Sequence, residues 1–335
     1  MRIAVIGAGQ FGRKHIAAVR NDPACELVAV AEPAGGDYGV PCYADYAVML
    51  DQEKPQAAII ATSNALHVPV ALACVERGIP ALVEKPVADT VEAAHRLVSA
   101  AERTGVAILV GHHRRHNPII ERAREIVQGG RIGRLAAVAI LWLLQKPADY
   151  FETAWRREAG GGPLLINLIH DVDDLRHVCG EIAEVRAITA NTVRGHPVED
   201  SAAVAFRFAN GAIGTATVCD AAPAPWSWEL TSAENLAYPP QEENCYFFSG
   251  TEGSLALPGM ELWSYGAQKG WYAPLRRESV SVAKADPQAR QLEHFRRVVL
   301  LHEAPRCGAA DAARTLAVVQ AIHEAARTGR PVVLQ

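Results

Sequence analysis

A chain of 335 residues has room for about two domains of roughly 150 residues each and for a large buried core, which excludes a small module stapled by disulfides or metal. Half of it is apolar and 21% is charged, and 33 Lys and Arg against 37 Asp and Glu leave a net charge of −4, so no concentrated positive field is built for nucleic acid or acidic lipid. The longest apolar run, 135–144, is half of the about 20 residues that a bilayer span needs, so neither a membrane nor a nucleic acid is expected as a partner.

The first apolar run, 3–6, is too short for the core of a secretory signal. The seven cysteines are scattered, odd in number and without a CxxC pair, which argues against a disulfide framework and fits a cytoplasmic protein. Up to about Pro118, short continuous apolar runs alternate with longer amphipathic ones: 3–6 then 11–21, 27–31, 57–61 then 68–77, 81–84 then 91–104, and 107–110. Fully apolar strands separated by helices predict a parallel sheet covered on both faces, an α/β domain over 1–118.

The first strand runs straight into Gly7-Ala8-Gly9-Gln10-Phe11-Gly12 and then a helix. In that setting the first Gly makes the tight turn, the second lets backbone approach a pyrophosphate, and the third packs helix on strand. Glu32 ends the next strand about 20 residues beyond Gly12, where a carboxylate accepts hydrogen bonds from ribose hydroxyls. Its charge repels a 2′-phosphate and Pro33-Ala34-Gly35 supplies no Arg, so NAD is favoured over NADP. The strand at 81–83 ends in Glu84-Lys85-Pro86, and ligands of open parallel sheets sit at the carboxyl ends of strands. Lys85 therefore points toward the cofactor crevice, with Pro86 fixing the local backbone and permitting a cis bond. The bland alternative is a solvated surface lysine.

After a helix at 118–128 the rhythm changes to successive strands, the run at 135–144 reading as a buried strand or helix. Tyr150, Phe151, Trp155, Arg156 and Arg157 form a polar and aromatic loop fit to cover a cleft. From 163 to 179, Leu164, Leu168, Val172, Leu175 and Cys179 recur at helical spacing, which places Ile166, His170, Asp173, Asp174 and His177 on the opposite side. The glycines at 160–162 just before it allow close approach of another element. The runs 201–208 and 212–218 flank Asn210-Gly211, a strong hairpin signal, and 228–236, 244–249 and 254–257 are expected to extend the sheet. Helices at 288–302 and 309–328 close a second domain over 119–335, of α+β class with a largely antiparallel open sheet.

The fingerprint at 7–12, Ala61-Thr62-Ser63-Asn64-Ala65-Leu66-His67, Glu84-Lys85-Pro86, Gly111-His112-His113-Arg114-Arg115-His116-Asn117-Pro118, and Gly160-Gly161-Gly162 leading to His170-Asp171-Val172-Asp173 follow one another as in the Gfo/Idh/MocA oxidoreductases, which the chain resembles over nearly its whole length. The resemblance implies an N-terminal Rossmann domain, a C-terminal open antiparallel sheet that pairs into a homodimer or homotetramer, and hydride transfer between a nicotinamide and a carbinol of a sugar, cyclitol or related polyol or cyclic diol. It also implies that Thr62, Asn64 and His67 line the cofactor crevice, that Glu84 lies beside the nicotinamide ribose, and that Lys85 and His170 face the reacting hydroxyl. His113, Arg115, Tyr150, Trp155, Asn167 and Asp173 are the expected substrate contacts, and no metal is expected because no HExxH or Cys/His set occurs.

The family's Asp four residues before the histidine is Ile166 here, and in a regular helix Asn167 is turned by about 100° from it, so Asp173 or Asp174 is left to orient His170. Two alternatives to a dehydrogenase stay open: a glycosidase that oxidises, eliminates, hydrates and reduces with one bound NAD, and a non-catalytic NAD-binding regulator.

Overall fold

The computed structural model describes residues 1–334, which fall into two compact units. The first begins with β1 (Arg2–Ile6), α1 (Gln10–Asn21), β2 (Glu26–Ala31), β3 (Cys42–Tyr43), α2 (Tyr46–Glu53), β4 (Ala57–Ile60), α3 (Asn64–Glu76), β5 (Ala81–Val83), α4 (Val91–Thr104) and β6 (Ile108–Val110). Its strands form one parallel sheet in the order β3-β2-β1-β4-β5-β6. Strands such as β4 and β5 are buried at every residue because helices cover both faces, which is why they read as unbroken apolar runs. The strand order reverses between β1 and β4, so the crevice outside their carboxyl ends is where such a sheet takes a ligand.

The second unit contains α5 (Pro118–Gln128), β7 (Leu135–Leu143), α6 (Ile169–Cys179), β8 (Ile182–Ala190), β9 (Ser201–Phe208), β10 (Ile213–Cys219), α7 (Trp228–Thr231), β11 (Tyr246–Gly250), β12 (Gly253–Leu257), β13 (Glu261–Tyr265) and β14 (Leu275–Ser279). The chain then forms α8 (Pro287–Leu301), α9 (Ala309–Thr328) and β15 (Val332–Val333). The second sheet has nine strands in the order β14-β13-β12-β11-β7-β10-β9-β8-β15, and the β7–β10 pair is parallel while the other pairs are antiparallel. Gly211, at φ 88°, turns β9 into β10 where Asn-Gly predicts it.

One face of this sheet carries the second core, in which Trp142, Phe206, Phe208, Tyr246 and Phe248 meet Ile120 of α5 and Val172 and Leu175 of α6. On the other face, Ala137, Ala203, Ala205, Thr215, Thr217 and Phe247 are exposed, all but Ala137 between two buried neighbours. Both expected sheets are therefore present.

Three expectations are corrected. The run 228–236 is not a strand: Ser227 accepts the Leu230 amide at 3.3 Å and starts the short helix α7, and Leu236 is left 86% exposed. The predicted helix over 163–179 starts with a π turn, Leu164–Leu168, before α6 proper. A single cut at 118 also fails, because the first unit comprises Met1–His116 together with Asp286–Leu316. Leu292 and Phe295 of α8 pack in one core with Ile16 and Val19 of α1, and Leu109 of β6 bridges to Gly308.

Candidate functional site

In the first unit, β1 ends at Gly7, whose φ of 88° suits glycine, and a Cβ there would come within 2.6 Å of the Ala61 carbonyl oxygen. A Cβ on Gly12 would overlap the Gly7 carbonyl. Gly9, by contrast, faces open space, and α1 opens on it with no side chain capping its first amides. Gln10 and Phe11 of that first turn are exposed. Uncapped helix amides beside a cleared glycine turn fit a pyrophosphate, since they are donors with the positive end of the helix dipole behind them.

At the end of β2, Glu32 accepts the Ala8 amide at 2.8 Å and the Ala34 amide at 3.2 Å. The carboxylate is thus fixed against the glycine turn, and each oxygen keeps acceptor capacity for a hydroxyl. These residues fit a dinucleotide.

Thr62 follows β4 and Asn64 starts α3, both half-buried. His67 is buried, with Nδ1 2.7 Å from the Pro86 carbonyl oxygen and Nε2 3.1 Å from that of Thr62. Burial pushes its pKa down against the pull of those carbonyls and of Glu84, which favours the neutral ring. His67 is a strut that ties the segment after β4 to the one after β5; its contribution to the crevice is to hold Thr62 and Lys85 in place.

Lys85 is half-buried, its peptide bond to Pro86 is cis, and its amide donates to Glu84 Oε2 at 3.1 Å. Glu84 Oε1 lies 2.7 Å from His15 Nε2. Burial alone would raise the Glu84 pKa, but the hydrogen bond and charge of His15, with the charges of Lys85 and His113, outweigh it and bring the carboxyl down to about 2. Gly111 is cleared for this group, because a Cβ there would stand 3.0 Å from the Glu84 carboxylate.

The 3-10 turn His113–His116 follows β6. Half-buried His113 bears on Glu84, whereas Arg115 is 3% exposed, ion-paired with Asp311 and bonded to the Arg306 carbonyl at 3.1 Å. The expectation that Arg115 grips a substrate is corrected by this: its guanidinium ties the turn to the returning C-terminal segment.

In the second unit, the three glycines each meet a separate need. Gly160 has φ 87°, a Cβ on Gly161 would stand 2.8 Å from Arg156 Cα, and one on Gly162 would overlap the Glu199 carboxylate. Glu199 Oε1 accepts the Leu164 amide at 3.2 Å and so holds the start of the π turn. Asn167 leaves this wider turn, and its Oδ1 is enclosed with no hydrogen-bond donor. π turns interrupt the angular step of a helix, so the 100° separation of Asn167 from position 166 does not apply here.

His170 is 8% exposed and Asp171, Asp173 and Asp174 are 0–1% exposed, so the side of α6 opposite its apolar stripe is largely buried as well. The Tyr246 hydroxyl of β11 sits between the carboxylates of Asp171 and Asp174, 3.2 Å from the latter. Tyr150 is stacked between Arg156, 4.0 Å from its centroid, and Lys146, 4.8 Å away, while Trp155 is 48% exposed.

Some of these groups escaped the sequence reading. His15 lies in the buried stripe Gly12, His15, Ile16 and Val19 of α1, and a polar residue in an apolar stripe signals a buried partner. Lys146 and Asp220 follow the parallel strands β7 and β10, 3.4 Å apart and nearly fully buried, and burial pushes the Lys146 pKa down against Asp220. No local pattern announces that pair, because a Lys just past a strand is ordinarily solvated.

Among the described residues no helix is long and apolar enough to cross a membrane, and the seven cysteines are free. Residues 1–112 match the family model described as an oxidoreductase family with an NAD-binding Rossmann fold, and residues 120–256 match the GFO/IDH/MocA C-terminal domain. The chain is 29% identical over 209 residues to the rhizopine catabolism protein MocA of Rhizobium meliloti, covering 58% of this chain and 64% of that protein. It is 36% identical over 162 residues to the 1,5-anhydro-D-fructose reductase of Ensifer adhaerens, covering 47% of this chain and 48% of that one.

These alignments thus span about half to two-thirds of the relatives' lengths. The crystal structure of GenD2 from gentamicin A biosynthesis in complex with NAD superposes with a TM-score of 0.78 at 25% identity, covering 100% of this chain and 96% of that one. With a 3-2-1-4-5-6 parallel sheet over the first match and a mixed, mostly antiparallel sheet over the second, the chain belongs to the Gfo/Idh/MocA oxidoreductase family.

Proposed function

We propose that the protein is an NAD-dependent dehydrogenase that oxidises a secondary alcohol of a sugar, cyclitol or related polyol or cyclic diol. The observation that carries this reading is the Glu32 carboxylate, fixed by the Ala8 and Ala34 amides beside the uncapped start of α1. An acid there receives ribose hydroxyls and repels a 2′-phosphate, which favours NAD over NADP. A relative named for reducing an anhydro sugar supports the substrate class.

NAD, when bound, supplies the hydride acceptor. The residues assigned to its binding are Gly7, Gly9, Gln10, Phe11, Gly12, Glu32, Thr62, Asn64, Glu84 and Lys85, with His67 supporting the loops. Lys85 Nζ and the His170 imidazole are assigned to hold the reacting hydroxyl and to take its proton as the carbon loses hydride. Glu84, ionised through the neutral range, steadies the Lys85 backbone. The enclosed Asn167 Oδ1 fits an acceptor for a second substrate hydroxyl, and His113, Tyr150, Trp155 and Asp173 complete the proposed contacts.

Free cysteines fit work in a reducing cytoplasm, and the uncovered small-residue face of the second sheet fits a homo-oligomer. The test is NADH formation against a panel of polyols, sugars and cyclic diols, followed by Lys85→Met on the best substrate. A loss of about 100-fold or more in turnover, measured at saturating NAD, is expected for a residue in proton exchange. Near-normal turnover of the variant overturns the assignment.

A further inference from the structure

A groove of about 510 Å³ in the second unit, between the segment 145–157 and the loop 193–196, is lined by residues to which the reading above gives no role. Its volume is in the range of sites that take one small ligand. Phe151 lines it, 6% exposed, with the Arg194 guanidinium 4.2 Å from the ring centroid.

Arg194 is held rigidly: Nε lies 2.7 Å from Asp220 Oδ1, Nη2 donates to the Lys146 carbonyl at 2.9 Å, and the Val193 and Arg194 amides both donate to Asp200 Oδ2. Asp220 is 2% exposed and also lies 3.4 Å from Lys146 Nζ, so two cations share one sequestered carboxylate beneath the groove.

Arg157 and His196 line the same space, and no hydrogen bond or ion pair engages either side chain among the described residues. Glu152 and Gln145 complete the rim. An unengaged guanidinium matches a carboxylate in bidentate fashion, and an imidazole beside it adds a donor. The Glu152 carboxylate, in turn, accepts from hydroxyls and disfavours a ligand that is anionic at both ends.

We propose that this groove binds a polyhydroxy carboxylate, a sugar acid, with its carboxylate on Arg157 and His196 and its hydroxyls toward Glu152. As the substrate class of the enzyme, this rests on the dehydrogenase reading. The loop that carries Arg194 and His196 continues to Glu199, which holds the start of the π turn leading to His170. Occupation of the groove therefore bears on the segment assigned to proton exchange.

The test is isothermal titration of the full chain, with and without NAD, using gluconate against sorbitol, glucuronate against glucose, and galactonate against galactitol. At least one acid is expected to bind tenfold or more tighter than its neutral counterpart. Arg157→Ala should abolish that preference while leaving NAD affinity unchanged, and Arg157→Lys should restore part of it. If no acid outbinds its counterpart, or if the preference survives in Arg157→Ala, the proposal is overturned. An acid that binds in this way without yielding NADH leaves the groove standing and removes the dehydrogenase reading for it. NADH from neutral polyols without any preference for acids does the reverse.

Discussion

His15 stands in the buried stripe of α1 between Gly12 and Ile16, with its ring on Glu84 at 2.7 Å. The carboxyl is held at about 2, below its ordinary 4.5, although burial pushes the other way. A depressed acid contributes stability that is complete above the unfolded value near 4.5 and is lost as the pH falls toward 2. A shift of this size corresponds to about 3 kcal/mol. Glu84→Gln should therefore lower the urea midpoint at neutral pH, and the gap from the unsubstituted protein should close between pH 4.5 and 2. A gap that stays constant over that window would show that the ionised Glu84 carboxylate is not what stabilises the native state.

Residues such as Gly7, Gly12 and Glu32 were legible because a glycine turn between strand and helix, answered by an acid at the end of the next strand, shows in the sequence as a fixed spacing. The roles of His67 and Arg115 were not, because their partners, Pro86 and Asp311, come from remote segments.

At the scale of elements, the apolar runs announced five of the six strands of the first sheet, since strands buried on both faces leave no polar positions, whereas β3, two half-buried residues at the sheet edge, left no run to read. The π turn Leu164–Leu168 left no such trace, because its apolar spacing also suits an ordinary helix. What sets its start is a side chain about 35 residues away: Glu199 bonds the Leu164 amide and packs where a Cβ on Gly162 would lie.

Glu199→Ala should speed hydrogen exchange of the 162–170 peptide several-fold and lower turnover more than it changes KM for NAD. Glu199→Gln, which keeps a carbonyl acceptor, should restore most of both. Equal exchange in all three proteins would mean that the carboxylate merely rests beside the turn. The predicted strand at 228–236 failed for a related reason, a local cap at Ser227 outweighing the β-propensity of Trp228 and Thr231.

For the whole molecule, the two-fold division was legible and its return path was not. The rhythm of apolar runs announced an α/β half and an α+β half, but nothing local assigns Leu292 and Phe295 to the core of the first unit, because an amphipathic helix does not name the surface it covers. The uncovered face of the nine-stranded sheet presents Ala137, Ala203, Ala205 and a 38% exposed Phe247. An exposed face of small residues around an aromatic ring suits a second copy of the chain. Light scattering of the eluted protein should give a dimer or tetramer, and Phe247→Arg should shift it to the monomer with little change in melting temperature. A monomeric parent protein would remove the oligomer from the reading.

The return of Asp286–Leu316 to the first unit also sets the order of events on the ribosome. A nascent chain that has exposed only its first 116 residues carries the nucleotide fingerprint complete, yet it lacks Leu292 and Phe295 to seal the apolar side of α1. The amino-terminal lobe must wait, partly open, until the segment Asp286–Leu316 has been made before it can close.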